Sequence, residues 1–318
     1  MSTSPLQLIV TDKDTVADGV VALTLQREDG GPVPEWEPGA HIDLILDGPD
    51  GELIRQYSLC GDRGDTTSLQ VAVLREPEGR GGSAYVHERL EAGAGVRVDG
   101  PRNHFELHPA AGYLFIAGGI GITPILPMIA RAEERGAAWR LLYGGRTRSS
   151  MAFADRLLER YPGRVQICPQ DTDGLLDLSA AVAATEADTA VYCCGPEPLL
   201  TAIEAVCGEQ GRTLHLERFT AKDTAHHSGD GGFTVELESS GISVDVGADQ
   251  TILDAVLAAG VDADFSCREG TCGTCEVAVC AGEPDHRDSV LDDDEREAGD
   301  AMMICVSRSL TPTLVIDL

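Results

Sequence analysis

The chain has 318 residues, of which 42% are hydrophobic, and a formal net charge of −29 at pH 7. This length predicts two or three domains, each able to bury its own core. So strong a negative charge argues against nucleic acids and anionic membranes as partners, because both would repel the protein. No apolar run reaches the roughly 18 residues of a membrane span, and residues 1–6 lack the basic and apolar parts of an export signal.

The chain contains ten cysteines. Without an export signal, so many cysteines favour a reducing, cytoplasmic location and a use in metal or redox chemistry. We expect the chain to act as a cytoplasmic monomer that has no membrane or nucleic-acid partner.

Residues 1–102 consist of short apolar stretches separated by turn residues. Several short strands without intervening helices predict an antiparallel β-barrel. The predicted strands are Leu6–Thr11, Val20–Gln26, His41–Leu46, Leu53–Cys60, Leu69–Arg75 and Val96–Val98. A helix is predicted over Ser83–Leu90, with Ser83 as its N-cap directly after two glycines.

Two stretches of this barrel are candidates for chemistry. One is Arg55-Gln-Tyr57-Ser58-Leu59 on a predicted strand, and the other is Arg80-Gly81-Gly82-Ser83 at the predicted helix start. Taken alone, a Tyr beside an Arg on a strand is usually ordinary packing. The glycine-rich helix start is either an anion-binding nest or a plain cap.

Together the two stretches resemble the flavin site of the ferredoxin reductase family. The resemblance implies that Tyr57 packs on the isoalloxazine ring and that Ser58 hydrogen-bonds near its N5 atom. It also implies that Arg55 and the glycine-rich helix start hold the phosphate, and Arg75 is a further candidate for that phosphate. The expected flavin-binding residues are Arg55, Tyr57, Ser58, Leu59, Arg75, Arg80, Gly81, Gly82 and Ser83.

Residues 103–220 show a different rhythm, in which apolar strands alternate with helical patterns. This alternation predicts a parallel, doubly wound α/β sheet, which binds ligands at the carboxyl ends of its strands. The predicted strands are Tyr113–Ala117, Arg140–Tyr143, Val165–Cys168, Ala190–Cys194 and Leu214–Glu217. The predicted helices are Thr123–Glu134, Ser150–Arg160, Asp177–Ala183 and Glu197–Cys207.

Two strand ends in this region carry glycine-rich turns. The first reads Gly118-Gly-Ile-Gly-Ile-Thr-Pro124, and the second reads Cys193-Cys-Gly-Pro196. A glycine-rich turn between a strand and a helix lets the backbone approach a pyrophosphate. The alternative is a tight strand–helix connection without a ligand, and Pro124 stands where the standard dinucleotide fingerprint has its third glycine.

The two turns together resemble the pyridine-nucleotide domain of the same reductase family. The resemblance implies a cofactor contact at Gly119, Gly121, Thr123, Pro124, Gly195 and Pro196, and it places Cys194 beside the nicotinamide. Strand alternation directs Cys193 to the opposite face, into the core. Arg146 follows the second strand and either meets the adenosine side of the cofactor or is an exposed loop residue without a role.

Residues 233–318 contain four cysteines at a diagnostic spacing. Cys267, Cys272 and Cys275 form C-x4-C-x2-C, and Cys305 follows 30 positions later. This spacing is typical of a plant-type 2Fe–2S cluster, whose irons prefer soft thiolate ligands. A structural zinc site would show two C-x2-C knuckles, and disulfides would need an oxidising compartment.

The elements around these cysteines predict an α+β, β-grasp ferredoxin domain. Residues 221–232 are small, polar and glycine-bearing, which predicts a flexible linker in front of it. The predicted elements of the domain are strands Phe233–Leu237, Ser243–Val246, Glu276–Cys280 and Thr313–Asp317 and the helix Thr251–Gly260.

The whole chain resembles the phthalate dioxygenase reductase family, whose members carry flavin, nucleotide and ferredoxin domains in this order. The segments Gly282–Ser289 and Cys305–Arg308 also look like that family's ferredoxin segment. The resemblance implies FMN and NADH as cofactors, while Arg146 and Arg148 leave NADPH open. It implies Ser58 and Cys194 as catalytic residues, and a terminal oxygenase of the Rieske type, ring-hydroxylating or O-demethylating, as electron acceptor.

Two alternatives stay open at this point. In one, the same electron chain serves a haem monooxygenase. In the other, the protein is not an enzyme but a ferredoxin-type electron carrier or redox sensor. The two nucleotide turns and the Arg55–Leu59 segment argue against the second alternative.

Overall fold

The computed structural model describes residues 5–48, 51–220 and 231–318. The predicted linker, residues 221–232, lies outside this part of the chain except for its last two glycines. The described chain separates into two compact units. The first ends at Glu217, and the second begins at Arg218. We call them the N-terminal unit and the C-terminal unit. None of the helices in the described ranges is both long enough and apolar enough to cross a membrane.

The N-terminal unit begins with the predicted antiparallel β-barrel. Its sheet has the strand order β4-β3-β6-β1-β2-β5, and an antiparallel bridge between Leu59 and Val71 joins its two ends. Alternating apolar residues such as Leu8, Leu23 and Leu44 fill the barrel core. The elements are β1 Leu6–Ala17, β2 Val20–Gln26, β3 His41–Gly48, β4 Gly51–Ser58, β5 Ser68–Leu74, α1 Gly82–Arg89 and β6 Gly95–Arg102.

The predicted cap of helix α1 is wrong. Gly81, not Ser83, is the N-cap, and it has a φ of 80°, a left-handed conformation that glycine adopts without a steric penalty. The helix therefore begins at Gly82. Ser83 lies inside the first turn, where its hydroxyl accepts a hydrogen bond from the backbone N–H of Glu76 at 3.1 Å.

The second part of the N-terminal unit is the predicted doubly wound sheet. Five parallel strands have the order β11-β10-β7-β8-β9, so the order reverses between β7 and β10, where such sheets bind ligands. The elements are β7 Gly112–Gly118, α2 Ile122–Glu134, β8 Ala138–Gly145, α3 Ala154–Arg160, β9 Val165–Pro169, α4 Gln170–Asp173, α5 Leu178–Ala183, β10 Thr189–Cys194, α6 Glu197–Gln210 and β11 Leu214–Glu217.

The barrel and the parallel sheet share a hydrophobic core. Val20 and Ala72 of the barrel belong to the same buried cluster as Phe115 and Tyr192 of the sheet. Cys194 faces this shared core, whereas Cys193 lies in a separate core on the other face of the sheet. The predicted alternation of the two cysteines is therefore confirmed.

The C-terminal unit is the predicted α+β ferredoxin domain. Its five-stranded sheet has the order β13-β12-β18-β14-β16; β12 and β18 are parallel, and the other neighbours are antiparallel. The elements are β12 Phe233–Leu237, β13 Ile242–Val246, α7 Ile252–Ala258, β14 Glu276–Ala281, β15 Pro284–Asp285, α8 Asp293–Ala298, β16 Ala301–Met303, β17 Arg308–Ser309 and β18 Thr313–Ile316. Within the described ranges, its core is built only from residues of this unit.

Candidate functional site

The two glycine-rich turns of the parallel sheet pack against each other. A Cβ atom on Gly121 would lie 2.2 Å from the carbonyl oxygen of Cys194, and one on Gly118 would lie 2.7 Å from Cδ of Pro196. Only glycine permits this approach of two backbones. Gly119 has a φ of 57° and open space beside its Cα atom, so this turn has room for a ligand at the switch point of the sheet.

Buried hydroxyl groups hold the first turn in place. Thr123 donates to the carbonyl oxygen of Ile120 at 3.0 Å, and Tyr143 donates to that of Gly119 at 3.1 Å. The Thr123 hydroxyl therefore stabilises the turn itself. Pro124 is buried in the first turn of α2, where its missing N–H leaves no intrahelical hydrogen bond unmade.

Three side chains from distant parts of the N-terminal unit meet, and two of them donate to one carboxyl oxygen of the third. The Ser58 hydroxyl, at the end of β4, donates to Oε2 of Glu217 at 3.4 Å. The Cys194 thiol, at the end of β10, donates to the same atom at 3.7 Å. Glu217 is the last residue of β11 and lies opposite Cys194 in the sheet register. The structure thus brings together both predicted catalytic residues, around a third residue that the motifs did not reveal.

Burial keeps Glu217 and Cys194 protonated at neutral pH. Burial raises the pKa of Glu217 to about 8 and raises the pKa of the Cys194 thiol well above its ordinary value. An ionised carboxylate or thiolate loses its hydration in such a site, which favours the neutral form. The arrangement can hold a proton on Glu217 and orient the hydroxyl of Ser58 and the thiol of Cys194, both of which donate to its Oε2 atom.

The predicted flavin segments lie next to each other in the barrel. The Arg55 guanidinium donates to the carbonyl oxygen of Arg80 at 2.6 Å, and a Cβ atom on Gly82 would lie 2.4 Å from Cγ of Arg55. The N–H groups at the start of α1 therefore lie beside a guanidinium group. Together these hydrogen-bond donors suit a phosphate. Burial raises the pKa of Tyr57 to about 12, so its phenol is neutral.

Other predicted residues have local partners. Arg75 forms a 2.5 Å ion pair with Glu88, and both side chains are about half exposed. Leu59 is fully buried, and its backbone N–H donates to Ala40 at 2.8 Å. Arg146 is exposed directly after β8, and Arg148 pairs with Asp155. These contacts weaken Arg75 and Arg148 as phosphate ligands and leave Arg146 accessible.

The four predicted cluster ligands are buried together in the C-terminal unit. Cys267, Cys272, Cys275 and Cys305 are all at most 6% exposed, whereas Cys280 on β14 is exposed. The thiol of Cys267 hydrogen-bonds with those of Cys272 and Cys305, and the thiol of Cys275 hydrogen-bonds with that of Cys305.

The surroundings of these thiols suit an anionic iron–sulfur group. Backbone N–H groups of Glu269 and Thr271 donate to Sγ of Cys267 at 3.3 and 3.5 Å. Hydrogen bonds, from Cys272 above all, lower the pKa of Cys267, and a hydrogen bond from Cys305 lowers that of Cys275. In the part of the chain that the structure describes, no three ligating side chains converge as they would on a single ion. A 2Fe–2S cluster needs only two thiolates on each iron.

Glu217 is the functional candidate that the motifs missed. Its signal in the sequence is positional, because it is the last residue of a predicted parallel strand and so lies at the ligand-binding edge of the sheet. No local pattern marks it, since its partners Ser58 and Cys194 are remote in sequence.

Two family models match this chain. The 2Fe-2S iron-sulfur cluster binding domain matches residues 235–310. The oxidoreductase NAD-binding domain matches residues 115–205. The first match contains all four clustered cysteines, and the second contains both glycine-rich turns.

Similar proteins cover nearly the whole chain. The phenoxybenzoate dioxygenase subunit beta of Ectopseudomonas oleovorans is 46% identical over 95% of this chain and 94% of its own length. A solved structure titled as an intact type IV self-sufficient cytochrome P450 monooxygenase has a TM-score of 0.91 and 45% identity over 99% of this chain. This chain spans only 41% of that longer protein.

A third match has the same domain content and length. The solved structure of phthalate dioxygenase reductase, whose title describes electron transfer from pyridine nucleotides to [2Fe-2S], is 36% identical with a TM-score of 0.71. The match covers 99% of this chain and 98% of the phthalate dioxygenase reductase chain. Because this relative is 36% identical over nearly the full length of both chains, this chain belongs to the phthalate dioxygenase reductase family.

Proposed function

We propose that this chain is the NADH-dependent reductase component of an oxygenase system. Residues 1–102 bind FMN, residues 103–220 bind NADH, and residues 233–318 bind the 2Fe–2S cluster, which passes single electrons to a terminal oxygenase. The observation that carries the proposal is the meeting of Ser58 and Cys194 at Glu217 in a chain that also holds a complete set of cluster cysteines.

When bound, FMN accepts two electrons as a hydride and returns them one at a time, which links NADH to a one-electron cluster. The chain's own residues hold this group. Tyr57 and Ser58 line the ring site on β4, while Arg55 and the start of α1 bind the phosphate. The turns at Gly119–Gly121 and Gly195–Pro196 bind the NADH pyrophosphate and bring the nicotinamide beside Cys194.

Glu217 carries a proton at this site and accepts hydrogen bonds from its two neighbours. Its carboxyl holds a proton at neutral pH, because burial raises its pKa to about 8. Ser58 Oγ and Cys194 Sγ both donate to the same carboxyl oxygen, so the neutral carboxyl orients the hydroxyl and the thiol that line the site. The same buried contacts keep water away from the place where the hydride is transferred.

FMN rather than FAD is part of the proposal. The start of α1 and Arg55 form a nest for a terminal phosphate, and the Arg80–Ser83 loop has no aromatic side chain to stack an adenine. Chromatography of the flavin released by heat tests this directly. FMN is the expected product, and FAD would contradict the assignment.

The acceptor is proposed to be a Rieske-type oxygenase that hydroxylates or O-demethylates aromatic compounds. The name of the 46% identical relative, a phenoxybenzoate dioxygenase subunit, supports this class. The C-terminal unit supports an acceptor with a basic surface, because residues 231–318 contain no lysine and few arginines among many acidic residues.

A haem monooxygenase is the second candidate acceptor, and one observation favours it. The chain is 45% identical to part of a self-sufficient cytochrome P450 structure over nearly its full length. The upstream electron path is the same in both cases, so the acceptor alone distinguishes them.

One experiment tests the function in two stages. Anaerobic NADH should first bleach the flavin of the intact chain and then give the electron paramagnetic resonance signal of a reduced 2Fe–2S cluster. A mere carrier or sensor would show neither change with NADH. The reduced chain is then mixed with a Rieske oxygenase or with a haem monooxygenase. Product formation with the Rieske enzyme alone supports the first acceptor, and product with the haem enzyme alone overturns it.

We further propose a monomer in the reducing cytoplasm. None of the ten cysteines is in a disulfide, which agrees with a reducing compartment. Light scattering of the purified protein and cell fractionation test these two statements, and a dimer or a secreted product would contradict them.

A further inference from the structure

The cluster loop contains a strained residue. Arg268, directly after the first cluster cysteine, has a φ of 58°, in the left-handed region. Among the described residues, Phe153 is the only other residue besides glycine with a positive φ. This conformation is unfavourable for a residue with a Cβ atom, so it persists only where other contacts hold it.

The side chain of Arg268 provides such contacts. Its Nη1 donates to Oδ1 of Asp254 at 2.7 Å, and its guanidinium carbon lies 4.4 Å from the ring centre of Phe265. Asp254 lies in the first turn of α7, and Thr251 donates to its other carboxylate oxygen at 2.8 Å. We call Asp254, Phe265 and Arg268 the Arg268 clamp.

The clamp acts on the segment that faces a cluster ligand. The left-handed turn at Arg268 directs the N–H groups of Glu269 and Thr271 to the sulfur of Cys267, at 3.3 and 3.5 Å. The start of α7 also contacts the other ligand segment, because the N–H of Leu253 donates to the carbonyl oxygen of Ile304 at 3.0 Å.

We propose that Arg268 is a positioning residue that sets the reduction potential of the cluster. Hydrogen bonds to cluster sulfurs stabilise the more negative, reduced state and raise the potential. The clamp keeps two such bonds on Cys267 by holding Arg268 in its left-handed conformation. Loss of the clamp therefore lowers the potential without removing a ligand.

The first test uses two variants that each remove one negative charge. Asp254→Ala breaks the clamp, whereas Asp264→Ala removes an exposed carboxylate three positions before Cys267. Removing a nearby negative charge raises a reduction potential by Coulomb's law alone. We expect a lower potential than wild type in Asp254→Ala and an unchanged or higher one in Asp264→Ala. A potential at or above the wild-type value in Asp254→Ala overturns the proposal.

The second test separates the backbone from the charge. Arg268→Ala and Arg268→Gly remove the same side-chain charge, but only glycine adopts a positive φ freely. We expect the potential of Arg268→Gly to lie closer to wild type than that of Arg268→Ala. Equal shifts in the two variants would mean that charge, and not the turn, sets the potential.

Both tests use the intact chain with its cofactors. The potential is measured by a redox titration followed by the electron paramagnetic resonance signal of the reduced cluster, and visible absorption reports cluster content. If Arg268→Ala fails to assemble the cluster, the two aspartate variants decide the question by themselves.

Discussion

The proposed iron–sulfur site and the proposed hydride-transfer site of this protein are built in opposite ways. Three of the four cluster cysteines lie within the nine residues 267–275, and the loop that carries them also supplies the N–H groups around Cys267. The proposed hydride-transfer site instead joins Ser58 to a residue 159 positions away. A site encoded in one loop can be identified from spacing, while a composite site depends on the whole fold that assembles it.

The comparison predicts that loss of a cluster ligand is all-or-none. Cys305→Ala should abolish the visible absorption of the cluster, because a 2Fe–2S cluster requires four ligands and Cys305 is the only one outside the loop. Cys280→Ser is the matched control and should retain the full absorption, since Cys280 is exposed on β14. Loss of the cluster in the Cys280 variant would show that the ligand set is wrong.

Substitutions in the composite site should slow the reaction rather than abolish it. Cys194→Ala should slow the reduction of the flavin by NADH about 100-fold, because small displacements of reacting groups have effects of that size. Cys193→Ala should stay near wild type, since Cys193 faces the other core. Stopped-flow absorption measures both rates. The reverse pattern would mean that the faces of β10 have been assigned the wrong roles.

A pH profile tests the third member of the composite site. The pKa of Glu217 is raised to about 8, so its carboxyl is neutral at pH 7 and ionised at pH 9. Hydride transfer brings negative charge to this site, so ionised Glu217 opposes it. The reduction rate should fall about tenfold as the pH rises through 8, equivalent to about 1.4 kcal/mol of activation free energy.

Glu217→Gln is the control for this profile. Glutamine cannot ionise, so the fall in the flavin reduction rate near pH 8 should disappear. The reduction rate at pH 7 should change less than the rate at pH 9. Stability offers a second readout. The folded pKa lies above the ordinary value of 4.5, so Glu217 favours folding at low pH, and this contribution is lost as the pH rises through 8. The melting temperature of wild type should therefore fall more between pH 5 and 9 than that of the variant.

The smallest predicted effect is that of salt on the two sites. The acidic C-terminal unit should meet a basic acceptor by electrostatic steering, and screening shortens from about 10 Å at 0.1 M salt to about 3 Å at 1 M. Oxygenase turnover with the intact chain should fall severalfold over this range, while flavin reduction by NADH changes less. Equal salt dependence of both steps would argue against steering at the C-terminal unit.

The sequence predicted the three folded regions well because their signals are local. Strands β2, β11 and β12 have the predicted bounds, since apolar runs bounded by turn residues mark them directly. The doubly wound order and the opposite faces of Cys193 and Cys194 followed from alternation rules. The four candidate cluster cysteines and the candidates Ser58 and Cys194 were proposed from motifs, and their roles stay predictions.

The sequence did not predict features that depend on tertiary contact or on backbone conformation. Glu217 looks like any strand-terminal acid until the sheet brings it to Ser58 and Cys194. Ser83 has a favourable cap residue type, but the left-handed Gly81, two residues earlier, is the N-cap of the helix. The left-handed turn at Arg268 could not be predicted from the sequence for a similar reason. Arg268 makes tertiary contacts there with Asp254 and with the ring of Phe265.

The hydrophobic core that the barrel shares with the parallel sheet has an evolutionary consequence. Val20 and Ala72 would be exposed if the sheet were exchanged for another, since they are buried in the same cluster as its side chains. Barrel and sheet must therefore be inherited and recombined as one piece. Among the described residues, the core of the C-terminal unit contains no residue of the N-terminal unit, so a gene fusion or swap at the Glu217–Arg218 boundary can pair the N-terminal unit with many different C-terminal domains.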